Sequence, residues 1–232
     1  MRRLVLLGSG HGELSALPIL MRRILQEKDR DHLLFVDNEI IRAGDAVGLV
    51  KWDKAKSQAD YSKWIRYVSV AARRKNLGGV LAVFDGDAKR FPAGSQSPFC
   101  AATAAKSMAA AAAEAAGAGR VFSLAVVFAC VEYETRIIAG AKSLAGKRLK
   151  DGRPALPASV KFPAGEPEAH GKKWLEDNFP GYRPARDQGT LTELLDLGVV
   201  RAKKLRSFTR LERAIDQLLE AVRRDCFVST PC

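Results

Sequence analysis

The sequence predicts an α/β protein in which a mainly parallel sheet is flanked by helices and followed by a helical C-terminal extension. Short apolar runs at residues 3–8, 32–36, 80–84 and 121–129 alternate along the chain with segments of helical character. Strands that are apolar throughout are typical of a parallel sheet covered on both faces, because neither face meets water. A chain of 232 residues can bury such a core without disulfides or a structural metal.

The segments between these runs favour helices. Apolar residues recur at helical spacing over residues 14–25, where Pro18 is compatible with a helix if it lies in the first turn. A second helix is predicted over residues 61–76. A third is predicted over residues 101–118, in which twelve of eighteen residues are alanine, the strongest helix former. We expect a fourth helix to include residues 134–139.

Composition divides the chain into an α/β core over residues 1–145 and a C-terminal part over residues 146–232. Residues 146–181 are rich in Gly, Pro and Lys and lack periodicity, which indicates loops with a short helix near Trp174. Residues 188–224 have helical periodicity. We therefore expect the C-terminal helices to pack on the core.

The charge balance points to an anionic partner. The chain has 38 basic and 26 acidic residues, a formal net charge of +12. Nucleic acid is a common partner of proteins with such a surplus. Lys203, Arg206 and Arg210 are candidate phosphate contacts on the C-terminal helix, although a solvated basic face explains them equally well.

Other features narrow the class of protein. No apolar run reaches the length of a membrane span, and the N-terminus reads as a strand, so we expect no membrane association and a cytoplasmic protein. The four cysteines form no CxxC pair, which argues against a zinc cluster. Cys226 and Cys232 are close enough in sequence to form an incidental disulfide.

Acidic residues follow the predicted strands at their carboxyl ends. They are Glu13, Asp37, Asp85, Asp87, Glu132 and Glu134. Because ligands of a parallel sheet gather outside these ends, we expect the carboxylates to converge there and to need a cation. Mg²⁺ or Mn²⁺ takes oxygen ligands and often binds phosphate as well. The strongest element is Asp85-Gly86-Asp87, since glycine eases the turn that would aim both acids into one crevice.

A dinucleotide-binding site is an alternative prediction. Gly8, Gly10 and Gly12 resemble the start of the glycine-rich fingerprint, and Asp37 lies near the position of its ribose-binding acid. However, Glu13 occupies the place of the third glycine. A carboxylate beside a pyrophosphate is unfavourable, so the metal site is the preferred interpretation.

Several segments together resemble a family of bacterial Toprim-like proteins. The segments are Gly10 to Glu13 with residues 16–25, Phe84 to Asp87, Glu132 to Glu134, Asp187-Gln188, and residues 206–214. The resemblance implies a Toprim-like, Rossmann-like core, as in primases, topoisomerases and overcoming-lysogenization-defect nucleases. Relatives are often encoded beside ABC- or AAA-type ATPases and are linked to antiviral defence.

The resemblance also implies metal-assisted hydrolysis of nucleic acid phosphodiesters. Glu13, Asp85 and Asp87 would bind Mg²⁺, and Glu134 would be a further ligand or a supporting acid. Asp37, Glu132 and Asp187 are weaker candidates.

Two positions depart from the family pattern. Ser9 stands where the family has its leading glutamate, and Arg136 stands where it tends to have an aromatic residue. A hydroxyl cannot replace a carboxylate as an anionic ligand or proton acceptor. A catalytically degenerate Toprim subunit, acting as an assembly partner of an ATPase, is therefore a second hypothesis. The choice between DNA and RNA, and whether the chain forms a homo-oligomer, stay open.

Overall fold

The computed structural model describes residues 1–129, 131–160 and 171–230. Cys232 lies outside these residues, and so does the predicted Cys226–Cys232 pairing; Cys226 itself is exposed and free. The strands are β1 (Arg2–Gly8), β2 (Leu34–Val36), β3 (Ile41–Arg42), β4 (Lys51–Asp53), β5 (Gln58–Asp60), β6 (Leu77–Phe84), β7 (Leu124–Phe128) and β8 (Ser229–Thr230). The helices are α1 (His11–Glu27), α2 (Ala46–Leu49), α3 (Ser62–Ala72), α4 (Ala101–Ala116), α5 (Glu134–Ala139), α6 (Gly171–Asn178), α7 (Pro184–Leu194), α8 (Leu197–Ala202) and α9 (Arg206–Arg223).

The main sheet has the strand order β2-β1-β6-β7-β8, and β3 pairs with the end of β1. The pairings of β1 with β2, β3 and β6, of β6 with β7, and of β7 with β8 are all parallel. β4 and β5 form a separate antiparallel hairpin. The predicted α/β fold, with a mainly parallel sheet, flanking helices and C-terminal helices, is confirmed.

Each face of the sheet has its own apolar core, because side chains alternate along a strand. Leu4 and Leu6 of β1 point to one face and pack with residues of α1, α5 and α7 to α9. Val5 and Leu7 point to the other face and pack with residues of α2, α3 and α4. The sheet is therefore the middle of three layers. Helices cover both of its faces, which explains the uninterrupted apolar sequence of β1, β6 and β7.

The C-terminal part contributes to the same core as the first 145 residues. Leu149, Leu156 and Leu175 belong to the cluster that contains Leu4 and Leu6. α9 then crosses the sheet, with Leu218 against the backbone of Gly79 in β6. After α9 the chain returns to the sheet, where β8 pairs with β7. None of the described helices is both long and apolar enough to cross a membrane.

The first helix begins earlier than its apolar pattern indicates. α1 starts at His11, so Pro18 lies inside the helix and not in its first turn. The cause is Glu13, whose carboxylate accepts the backbone N–H of Gly10 at 2.8 Å. An acid in the third helical position stabilises a helix start in this way. Local capping therefore outweighs the cost of an interior proline.

Candidate metal site

A cavity of about 430 Å³ opens at the carboxyl ends of β1 and β6. Its walls come from the residues that follow β1, β6 and β7 and from the starts of α6 and α7. The lining residues are Gly10, Gly12, Glu13, Asp85, Glu132, Glu134, Lys172, Pro184, Ala185 and Gln188. The sequence predicts that carboxylates converge at this edge of the sheet. Four of them, Glu13, Asp85, Glu132 and Glu134, do line one cavity there.

Glu13 has one satisfied and one unsatisfied carboxylate oxygen. Its Oε2 accepts hydrogen bonds from the Ser9 N–H at 2.8 Å, the Ser9 hydroxyl at 2.7 Å and the Gly10 N–H at 2.8 Å. Its Oε1 is buried and has no hydrogen-bond partner among the described residues. Oε2 thus stabilises the start of α1, whereas Oε1 is available to a ligand.

Asp85 is the most strongly perturbed acid of the cavity. Its Oδ1 is buried without a hydrogen-bond partner in the described part of the chain. Burial, together with the charge of Glu13, raises the pKa of Asp85 to about 9. The two carboxyl groups lie within hydrogen-bonding reach of each other. They therefore require either a proton, which Asp85 holds at neutral pH, or a cation.

Glu134 is held in place from the C-terminal part of the chain. The Tyr182 hydroxyl donates to Glu134 Oε1 at 3.1 Å, and Gln188 also hydrogen-bonds to this carboxylate. Glu134 is 5 % exposed. Burial raises the pKa of Glu134 above its ordinary value. The same environment, first by burial and then by the charge of Glu134, raises the pKa of Tyr182.

Gln188 supplies a third unpaired oxygen to the cavity. The residue is 3 % exposed, and its Oε1 has no hydrogen-bond partner among the residues that the structure describes. It is seated directly over Gly12 of α1. A Cβ at Gly12 would overlap this oxygen and lie 2.9 Å from the Pro184 carbonyl oxygen. The absence of a side chain at Gly12 is therefore what lets α7 bring Gln188 to the cavity.

The cavity also has positive features that would favour phosphate. The starts of α1, α6 and α7 all contribute lining residues, and the N-terminal end of a helix carries a partial positive charge. Lys172, in the first turn of α6, is exposed and belongs to the lining. Its backbone N–H donates to Glu132 Oε2 at 3.1 Å. The arrangement combines acceptor oxygens inside the cavity with one exposed lysine in its lining.

Other predicted acids lie elsewhere or are already paired. Asp87 is exposed and is not one of the cavity-lining residues. Asp37 accepts a hydrogen bond from Arg3 at 3.0 Å. Asp187 is fully buried and forms ion pairs with Arg153 at 2.8 Å and Arg186 at 2.7 Å. These contacts give Asp37 and Asp187 stabilising roles that need no metal.

The predicted nucleic-acid contacts lie at the junction of α8 and α9. Lys203 and Arg206 are exposed, and Arg210 is partly buried. None of the three is among the described residues that line the cavity. Any phosphate contact that they make would therefore lie outside the cavity.

A separate acidic group lies at the opposite edge of the sheet, between α1 and β2. Asp29, Asp31 and His32 each place one ligand atom within 4.8 Å of the others. These residues could hold a metal ion, although all three are exposed and exposed acids are common without one. They are not among the predicted site residues, although the closely spaced Asp-Arg-Asp-His segment is a signal for them in the sequence.

The linear sequence carries no signal for the close approach at Gly12 or for the contacts of Lys172 and Tyr182, and Gln188 is indicated only by the family resemblance. Lys172 and Gln188 lie more than 80 residues from Asp85 in the chain, and no linear spacing connects them to it.

No family model, no curated protein and no solved structure matches this chain.

Proposed function

We propose that this chain is a Toprim-like, Mg²⁺-dependent nuclease that hydrolyses nucleic acid phosphodiesters at the cavity containing Glu13 and Asp85. The observation that carries the proposal is that three buried oxygens of residues lining one cavity have no hydrogen-bond partner among the described residues, apart from the proton that Asp85 and Glu13 can share. They are Glu13 Oε1, Asp85 Oδ1 and Gln188 Oε1. Buried oxygens without donors are costly, and a hard divalent cation would satisfy carboxylate and amide oxygens together.

Glu13, Asp85 and Gln188 offer carboxylate and amide oxygens, the type of ligand that Mg²⁺ or Mn²⁺ prefers. Glu13, Asp85 and Gln188 would hold the ion, and Asp87 remains a proposed ligand on the strength of the resemblance alone. A bound Mg²⁺ would neutralise charge on the phosphate and activate water. Glu134, whose pKa is raised by burial, is suited to hold a proton at the edge of this site. Lys172 would attract the phosphate group.

Incubation with nucleic acid tests the proposal. We expect the purified protein, in Mg²⁺ or Mn²⁺, to cleave at least one of plasmid DNA, single-stranded DNA and tRNA. Asp85→Ala should abolish cleavage because it removes a buried ligand, whereas Asp177→Ala, on the exposed side of α6, should leave it unchanged. Asp87→Ala, measured separately, tests whether that acid takes part. Cleavage that survives Asp85→Ala in the folded protein would rule out the assignment.

A degenerate Toprim subunit is a second candidate, and the environment of Ser9 favours it. Ser9 donates hydrogen bonds to Glu13 from both its N–H and its hydroxyl. Where the family has its leading glutamate, this chain therefore has a serine that stabilises a neighbouring acid. In this case the chain would bind and assemble with an ATPase instead of cutting nucleic acid.

Ser9→Glu distinguishes the two candidates. The change removes the hydroxyl contact to Glu13, keeps the backbone N–H contact and adds a carboxylate beside Glu13. We therefore expect a lower melting temperature without metal and a recovery in millimolar Mn²⁺. If the natural site is degenerate, the variant should gain cleavage that wild type lacks; Ser9→Ala is the matched control. A variant that gains neither Mn²⁺ affinity nor cleavage would argue against a lost glutamate as the cause of inactivity.

The resemblance further leads us to propose an ABC- or AAA-type ATPase as partner, a place in antiviral defence and a cytoplasmic location. A homo-oligomer is compatible with either candidate function. Co-purification of the tagged chain with an ATPase encoded beside it would test the partnership directly.

A further inference from the structure

Tyr182 joins the C-terminal part of the chain to the acidic cavity. Its hydroxyl donates a hydrogen bond to Glu134 Oε1 at 3.1 Å, and both side chains are buried. Glu134 lines the cavity, whereas Tyr182 is not one of the described residues that line it. Tyr182 therefore holds a residue of the cavity wall from behind, without forming part of the wall itself.

The turn that carries Tyr182 is fixed on both sides. The Tyr182 N–H donates to the Phe179 carbonyl at 3.0 Å, and the centres of the two rings lie 6.2 Å apart. On the other side, the Arg183 N–H donates to Asp187 Oδ2 at 2.8 Å. Arg153 lies over the Phe179 ring and also pairs with Asp187. These contacts hold the Tyr182 hydroxyl in one position before any ion binds.

Glu134 in turn links Tyr182 to Gln188, a proposed metal ligand. The Gln188 side chain hydrogen-bonds to the Glu134 carboxyl group. Its Oε1 lies over Gly12 and has no partner among the described residues, so the amide N–H groups make this bond. A glutamine amide has a donor end and an acceptor end, and its partners decide which end faces a ligand. Glu134, held by Tyr182, thus keeps the acceptor end of Gln188 free for a cation.

We propose that Tyr182 is a positioning residue of the metal site and acts through Glu134. The inference rests on the proposed function, since it takes the cavity to bind a divalent cation. Without the hydroxyl, the Glu134 side chain loses a fixed partner and populates other rotamers, and the Gln188 amide loses its fixed acceptor. Residues that orient metal ligands contribute about ten- to a hundredfold to metal affinity. Loss of this hydroxyl should therefore weaken cation binding while the Tyr182 ring stays packed on Phe179.

Titration with MnCl₂, by calorimetry and by electron paramagnetic resonance, measures the affinity of the site. All proteins carry Asp31→Asn, so that the exposed group of Asp29, Asp31 and His32 does not contribute. Tyr182→Phe keeps the ring and removes only the hydroxyl, and we expect it to bind Mn²⁺ about tenfold more weakly. Added to Glu134→Ala, the same change should weaken binding no further, because the hydroxyl then has no carboxyl group to hold.

Tyr133→Phe is the matched control. The Tyr133 hydroxyl lies 2.9 Å from Thr192 Oγ1, so it too joins the start of α5 to the C-terminal part through a buried hydrogen bond. Neither of these two residues is among the described residues that line the cavity. We expect both tyrosine variants to lower the melting temperature of the metal-free protein, but only Tyr182→Phe to lower the Mn²⁺ affinity.

The outcomes separate this inference from the proposed function. A parent protein that binds no Mn²⁺ would overturn both, because the cavity then holds no cation. If the parent binds Mn²⁺ and Tyr182→Phe binds it equally well, only the role of Tyr182 fails. If Tyr182→Phe loses affinity as expected but the parent cleaves no nucleic acid, the role of Tyr182 stands and the nuclease fails.

Two further results would contradict an action through Glu134. One is an equal loss of Mn²⁺ affinity in Tyr133→Phe and Tyr182→Phe, which would make the effect one of general packing. The other is a further loss when Tyr182→Phe is added to Glu134→Ala. Failure of Tyr182→Phe to fold under conditions in which Tyr133→Phe folds would make the hydroxyl a structural group and would also overturn the inference.

Discussion

Replacing Asp85 with asparagine should make the metal-free protein more stable at alkaline pH, although it removes a proposed ligand. Burial and the charge of Glu13 raise the pKa of Asp85 from 3.8 to about 9, so the folded protein takes up a proton that the unfolded chain releases. The stability from this group is complete below its ordinary pKa and is lost as the pH rises through its folded value. Asparagine resembles the protonated acid and has no proton to lose.

Urea unfolding in the presence of EDTA measures this effect. Between pH 6 and 8.5 the wild-type free energy of unfolding should fall by up to about 1.4 kcal/mol per pH unit for this one proton. Asp85→Asn should lack that slope, so its stability relative to wild type should rise by up to about 3.5 kcal/mol between pH 6 and pH 8.5. Mn²⁺ should stabilise wild type but not the variant. Equal slopes for the two proteins would mean that Asp85 is ionised in the folded state.

The opposite result is expected at Asp187. Burial alone would raise the pKa of this acid, but hydrogen bonds from Arg186 and Arg153 hold it below its ordinary value. The carboxylate also accepts the N–H of Arg183, just before α7, at 2.8 Å. Asp187→Ala leaves this N–H without its acceptor and removes one partner from each guanidinium group, although Arg153 keeps Asp151 and Arg186 keeps the Gly181 carbonyl. We expect it to lower the free energy of unfolding by about 2 kcal/mol at neutral pH.

Comparison across pH and metal concentration identifies the role of Asp187. Because its pKa is lowered, its contribution is present above pH 3.8 and is lost as the pH falls through the lower folded value, so the two proteins should converge in acid. The difference should be the same with and without Mn²⁺. Asp177→Ala on α6 is the matched surface control. A loss that appears only in the presence of Mn²⁺ would instead make Asp187 part of the metal site.

The fold could be predicted because its strong signals are local. The apolar runs at residues 3–8 and 80–84 correspond to β1 and β6, and the alanine-rich run corresponds to α4, which ends at Gly117 with a φ of 78°. The short strands β3 and β8, of two residues each, have too few positions to show a period. β6 begins at Leu77, before the predicted strand of residues 80–84, and continues through Gly78 and Gly79. Because these glycines lack side chains, Arg2, Leu34 and Leu218 can pack closely against them.

The candidate site could be predicted only in part. Acids at strand ends identify Glu13, Asp85 and Glu134, because the edge of a parallel sheet follows from strand direction. They do not distinguish Asp85 from Asp87. That choice depends on the turn after β6, where the Gly86 N–H donates to the Val131 carbonyl at 2.8 Å. The turn leaves Asp85 in the cavity wall and Asp87 exposed.

The sequence by itself determined the α/β class, the flanking helices and the edge at which carboxylates gather, because these follow from periodicity and chain direction. Tertiary structure alone decided which groups complete the cavity. Gln188 reaches it because α7 packs closely on α1 across Gly12, and Tyr182, just before α7, donates to Glu134. Arg136 becomes a buried charge because helices enclose α5. Such contacts join positions far apart in the chain, and packing selects them without leaving a linear spacing.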